Sequence, residues 1–103
     1  MGTATFFITK SGYTNQNVLG RLITSGAHTT TTTVSNLTDG AAGAGSDITG
    51  NAGDILNIRS DEDMRIKMGG ETATATDGLL LWAENPQSFE ITGNGTISII
   101  DVS

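Results

Sequence analysis

The chain has 103 residues, room for one domain and one modest core, and its hydrophobic share of 36% predicts a thin one. Eleven acids against five bases leave a net charge of −6, which argues against binding a nucleic-acid backbone, because that needs a basic face. There are no cysteines, so disulfides and thiolate metal sites are excluded.

Residues 3–9 (TATFFIT) are β-branched and aromatic and predict a strand or an extended N-terminal arm within residues 1–12. Phe6, Phe7 and Ile8 are three consecutive bulky residues. On a strand they must point to both faces, so one face meets the core and the other is expected to meet a partner. All three are therefore candidate interface residues. The segment carries no basic region ahead of a long apolar run, so no signal peptide is expected. Phe6 stands where a myristoylation signal wants Ser or Thr. No apolar run has bilayer length, which predicts no association with a membrane.

Residues 11–17 are polar and predict a loop. Val18, Leu19, Leu22 and Ile23 fit either one helical turn, interrupted by Gly20, or a buried strand. Residues 27–34 contain five consecutive threonines, Thr29 to Thr33. They predict a strand with little to bury, at an edge or an interface. Residues 37–54 are rich in Gly, Asp, Asn and Ser. They predict a long loop with room for one short strand.

Residues 54–59 (DILNIR) return to a strand pattern. Met64, Ile66 and Met68 then alternate with Arg65 and Lys67, as in a half-exposed strand. The run GLLLWA at 78–83 predicts a central core strand, and residues 84–86 a turn containing the only proline. Residues 88–92 and 96–102 predict a hairpin closed by Gly93-Asn94-Gly95. That register pairs Ile91 with Ile97 and Phe89 with Ile99 and gathers four large apolar side chains on one face. Short strands between turn residues, with no repeat and no heptad, predict an all-β fold. It is read as a single antiparallel β-sandwich or jelly-roll-like domain over residues 1–103, with a long Gly-rich loop.

Candidate chemistry is sparse. His28 is the only histidine and lacks a nucleophile motif, so it is read as a surface or strand-edge residue. Asp61-Glu62-Asp63 is the densest acidic run and is read as a solvated turn, because no facing carboxylate can be assigned to complete a glycosidase pair. Residues 43–54 are similar to the calcium-binding nonapeptide of β-roll proteins but lack its nine-residue period. Asp39, Asp47 and Asp54 are the residues that could hold Ca²⁺ there, against the plainer reading of a Gly-rich loop. Gly43-x-Gly45 lacks the third glycine of a nucleotide loop. Trp82 is read as core, or as a subunit contact if exposed; Tyr13 is the other candidate for an aromatic ligand patch. No catalytic residue, no cofactor and no metal site is assigned, and an enzyme is not expected.

The residues from 64 to 100 resemble a group of small structural proteins of tailed bacteriophages, namely capsid decoration (cement) proteins and related head or neck proteins. The resemblance rests on MRIKMG at 64–69, TATATDG at 72–78, LLLWA at 79–83, the Pro86 turn, SFEI at 88–91 and TISII at 96–100. It covers about two-fifths of the chain. It implies a non-enzymatic virion component on the outer capsid surface. Such a protein contacts the major capsid protein and itself as a homo-oligomer, most often a trimer, and bridges shell subunits mechanically. A neck, tail or fibre-adaptor module, or a carbohydrate- or receptor-binding β-sandwich, is the alternative.

Overall fold

The computed structural model describes residues 2–10, 22–41 and 46–102. Every regular element among them is a β-strand, in the order β1 (Thr3–Thr9), β2 (Leu22–Thr29), β3 (Ser35–Asn36), β4 (Gly40–Ala41), β5 (Thr49–Gly50), β6 (Ile55–Ser60), β7 (Met64–Lys67), β8 (Leu79–Leu81), β9 (Gln87–Glu90), β10 (Gly95–Thr96) and β11 (Ser98–Asp101). They form a five-stranded sheet ordered β4-β2-β1-β6-β9, a four-stranded sheet ordered β3-β11-β7-β8, and a small β10-β5 ladder. The pairings are antiparallel except β2 with β4.

Both larger sheets turn apolar side chains into one cluster. Ala4, Phe6, Ile8, Leu56 and Ile58 come from the five-stranded sheet. Met64, Ile66, Leu81 and Ile99 come from the four-stranded one, with Leu37, Met68, Ile91 and Ile97 from the connections. Burying each large side chain here is worth about 1.5–3 kcal/mol. The alternation in β7 is as the sequence predicts: Met64 and Ile66 are buried while Arg65 and Lys67 face outward. The strand expected over 54–59 is β6.

Five expectations are corrected. Of the two readings of residues 3–9 the strand holds, as Thr3–Thr9, and the arm does not, since β1 is hydrogen-bonded between β2 and β6. The threonine run leaves the sheet after Thr29. Thr30 is buried and donates its hydroxyl to Asp101, while Thr31 Oγ1 accepts Thr33 N–H at 3.1 Å and donates to Thr33 C=O at 3.2 Å. Threonine hydroxyls compete for backbone groups in this way, which offsets their β-propensity. Within residues 37–54, Gly40–Ala41 and Thr49–Gly50 are both strands, Thr38 bridges Asp47, and Leu37 is core. The glycine-rich stretch at 42–45, and residues 18–21 of the ambiguous helical turn, lie outside the described residues; Leu22–Thr29 is strand.

The C-terminal hairpin does not form. β9 pairs with β6 and β11 pairs with β7 and β3, so the two strands belong to different sheets. Ile91, Ile97 and Ile99 still meet in the core, with Phe89 packed against it, but they do so across it rather than side by side. Alternation fixes which face a residue shows and leaves the hydrogen-bonding partner open. Finally, β8 is an edge strand rather than a central one, with β7 its one strand neighbour among the described residues. Only Leu81 of its three residues is buried.

Candidate binding face

The outer face of the five-stranded sheet is built from cross-strand rungs. Phe7 lies opposite Asn57, and Asn57 opposite Ser88; in the next outward-facing rung Thr5 lies opposite Arg59. Together with Pro86, these residues line an open groove of about 390 Å³. Asn57 forms its floor. Its Oδ1 accepts the Ser88 hydroxyl at 2.6 Å and its Nδ2 donates to the Phe7 carbonyl at 3.4 Å, so a polar side chain only 6% exposed is satisfied in place. Arg59 pairs with Glu84 at the rim, and both side chains are more than half exposed, so the pair contributes little to stability. Phe7 and Pro86 give the groove apolar surface beside the hydrogen-bonding groups of Thr5, Asn57 and Ser88, a mix found where a surface packs against a partner.

Of the three aromatic and aliphatic candidates, the structure leaves only Phe7 on this face, 39% exposed. Phe6 and Ile8 are buried in the core. The correction follows from the period of two: Phe6 and Ile8 share one side of β1 and Phe7 takes the other. Trp82, read as core, is 56% exposed at the end of the edge strand β8, and Leu79 is 44% exposed. Tyr13 lies outside the described residues.

A second groove, of about 370 Å³, borders the four-stranded sheet at Lys67, Glu71, Asp77 and Leu79. Lys67 Nζ is 2.7 Å from Asp77 and 3.8 Å from Glu71, and the Asp77 hydrogen bond is the main reason its pKa is raised. Arg65 donates to the carbonyls of Ala75 at 3.1 Å and Gly78 at 2.9 Å. The two bases that share a strand face thus hold down the connection between β7 and β8.

His28 is fully buried, not at the surface. Its Nδ1 accepts Thr38 N–H at 3.1 Å and lies 3.0 Å from Thr38 Oγ1; its Nε2 lies 3.0 Å from Ser35 Oγ. Because Nδ1 accepts, Nε2 carries the proton and donates to Ser35. Burial pushes the imidazole pKa down. The ring is a neutral brace between β2 and residues 35–38.

The acidic run is a corner bracket. Asp61 Oδ1 accepts Thr3 N–H at 2.7 Å and Asp63 Oδ1 accepts Ala83 N–H at 2.8 Å. Asp39 Oδ1 accepts Ala27 N–H at 3.2 Å, Asp47 Oδ2 accepts from Asn36 at 3.1 Å, and Asp54 is buried. Among the described residues no three His, Cys, Asp or Glu side chains gather as a metal site would require, so Asp39, Asp47 and Asp54 are not brought together. Among them, too, no helix is long and apolar enough to cross a membrane.

Sequence reading missed Asn57, Ser88 and Pro86 as groove residues. Asn57 carried a usable signal, as a polar residue between Leu56 and Ile58 in a buried strand. No protein-family model, no curated protein and no solved structure matches this chain.

Proposed function

We propose that this chain is a non-enzymatic decoration protein of a tailed-bacteriophage capsid, folded as a β-sandwich of jelly-roll type. It sits on the outer surface of the head, contacts the major capsid protein and further copies of itself as a trimer, and holds neighbouring shell subunits together. The observation that carries the reading is Phe7. It is a large apolar side chain left exposed on the outer face of a strand held on both sides, beside Thr5, Asn57, Arg59, Ser88 and Pro86. Exposed aromatic side chains on a rigid sheet cost little ordering entropy when they are buried by a partner. The pattern from Met64 to Ile100 supplies the class of partner. The net charge of −6 faces solvent and keeps particles apart.

The experiment is the copy number in purified particles of the phage that encodes the chain, by quantitative mass spectrometry against the major shell protein. A fixed simple ratio supports decoration. A handful of copies moves the chain to the neck or tail, and absence from particles rules the reading out. A Phe7→Ser variant is expected to lose at least about tenfold in particle occupancy, one hot-spot contact's worth. Its own unfolding free energy should change by less than about 1 kcal/mol. Phe6→Ser is expected to cost about 3–5 kcal/mol of folding stability, because it empties a core site. Full occupancy by Phe7→Ser particles would remove Phe7 from the interface.

A further inference from the structure

β8 is the kind of edge that invites pairing with another chain. Its residues and the next are Leu79, Leu80, Leu81 and Trp82. The usual protections of an edge strand, a lysine, a proline or an inward charge, are missing from this run. Leu79 and Trp82 are also exposed. An antiparallel pairing of β8 with β8 of a second copy would be self-complementary.

Two outward backbone groups of this edge are occupied by a side chain. In a strand the C=O of one residue and the N–H two residues on point to the same side. Here those groups are Leu80 C=O and Trp82 N–H. Gln87 reaches both: its Nε2 donates to Leu80 C=O at 3.4 Å and its Oε1 accepts Trp82 N–H at 3.0 Å. The carboxamide thus makes the two bonds that the N–H and C=O of a neighbouring strand would make. Gln87 is itself held in β9, opposite Ile58 of the five-stranded sheet. One amide therefore ties the edge of one sheet to the edge of the other. Just before β8, Arg65 takes Gly78 C=O at 2.9 Å.

We propose that Gln87 is an edge guard, a residue whose carboxamide blocks strand addition at β8 by a second copy of this chain. The inference does not require the capsid reading, although Gln87 also lines the Phe7 groove, so self-association rather than particle occupancy is its readout. Any assembly of the native protein then proceeds through other surfaces, and loss of the guard opens a new, edge-on interface.

The test compares wild type, Gln87→Ala and the double variant Gln87→Ala with Leu79→Lys, by light scattering behind size exclusion over a concentration series. Gln87→Ala is expected to form species at least twice the wild-type mass, and the added lysine to return it to the wild-type mass. Folded Gln87→Ala with wild-type mass at every concentration overturns the proposal. So does association that the lysine does not reverse. Should Gln87→Ala fail to fold, hydrogen exchange of the wild-type Trp82 amide decides. The guard requires it to be slowed at least about 100-fold relative to an open chain. Exchange at the open-chain rate refutes the guard.

Discussion

Asn57 and His28 are polar residues placed where the packing would take an apolar one, and each is kept by hydrogen bonds at both of its polar atoms. Asn57 bonds Phe7 C=O and the Ser88 hydroxyl. His28 bonds Thr38 and Ser35. Removing such a group leaves its partners buried and unsatisfied, so His28→Ala is expected to cost about 2–4 kcal/mol in a urea unfolding experiment. A cost under about 0.5 kcal/mol would mean that the ring braces nothing. The pH dependence has a definite sign. The folded imidazole has a pKa below its unfolded value of 6.5. Between the two values the unfolded chain binds more protons, so stability rises with pH through that window. The contribution is complete above the unfolded value and is lost as pH falls toward the folded one. Protonation would also set a ring N–H against Thr38 N–H. The stability advantage of wild type over His28→Gln should therefore shrink from about pH 7.5 to about pH 5. An advantage that stays constant over that range would contradict the assignment.

At the scale of elements, what could be read from the sequence was the face each residue presents. Met64 and Ile66 against Arg65 and Lys67 follow from the period of two, whereas all four residues of β11 are buried. Pairing partners did not follow, because a strand's alternation is the same whichever strand lies beside it. The sequence neighbours 88–92 and 96–102 looked like a hairpin, yet each found a better partner elsewhere: β6 for β9 over four rungs, and β7 for β11 over four rungs. The LLLW run misled for a related reason. Hydrophobicity marks a buried strand only when both sides of the sheet and both edges are covered, and among the described residues β8 has a strand neighbour on one edge only. The groove was half legible: Phe7 was named, while Asn57, Ser88 and Pro86 belong to it only through the β1-β6-β9 order. The entry to β8 depends on Gly78, whose φ is 140°. A Cβ there would lie 2.8 Å from the Ile66 carbonyl oxygen, a backbone atom that cannot swing away. Gly78→Ala is expected to lose about 1–3 kcal/mol by chemical denaturation, from strained backbone together with that contact. Wild-type stability in this variant would show that β8 does not seat so closely on β7.

At the scale of the whole chain, the two larger sheets cannot be stable independently. Each contributes about a third of one apolar cluster, with the connections supplying the rest, and the chain passes between the sheets repeatedly, from β2 to β3, β3 to β4, β6 to β7, β8 to β9 and β9 to β11. Domains of this size carry only about 5–15 kcal/mol of net stability. Losing one sheet's share of the cluster would therefore leave the other's apolar face in water, with nothing to offset it. Unfolding should be a single cooperative step. Two probes report on different parts: the only tryptophan, Trp82, lies at the end of β8 in the four-stranded sheet, and circular dichroism averages over all strands. Leu56→Ala in the five-stranded sheet and Ile99→Ala in the four-stranded sheet each remove a fully buried side chain and should cost about 2–5 kcal/mol. Either change is expected to move the fluorescence and dichroism midpoints together, to the same denaturant concentration. If Leu56→Ala shifted the dichroism transition and left the Trp82 transition in place, the sheets would be separate folding units. The shared core would then fail as the account of how this small, polar chain stays folded.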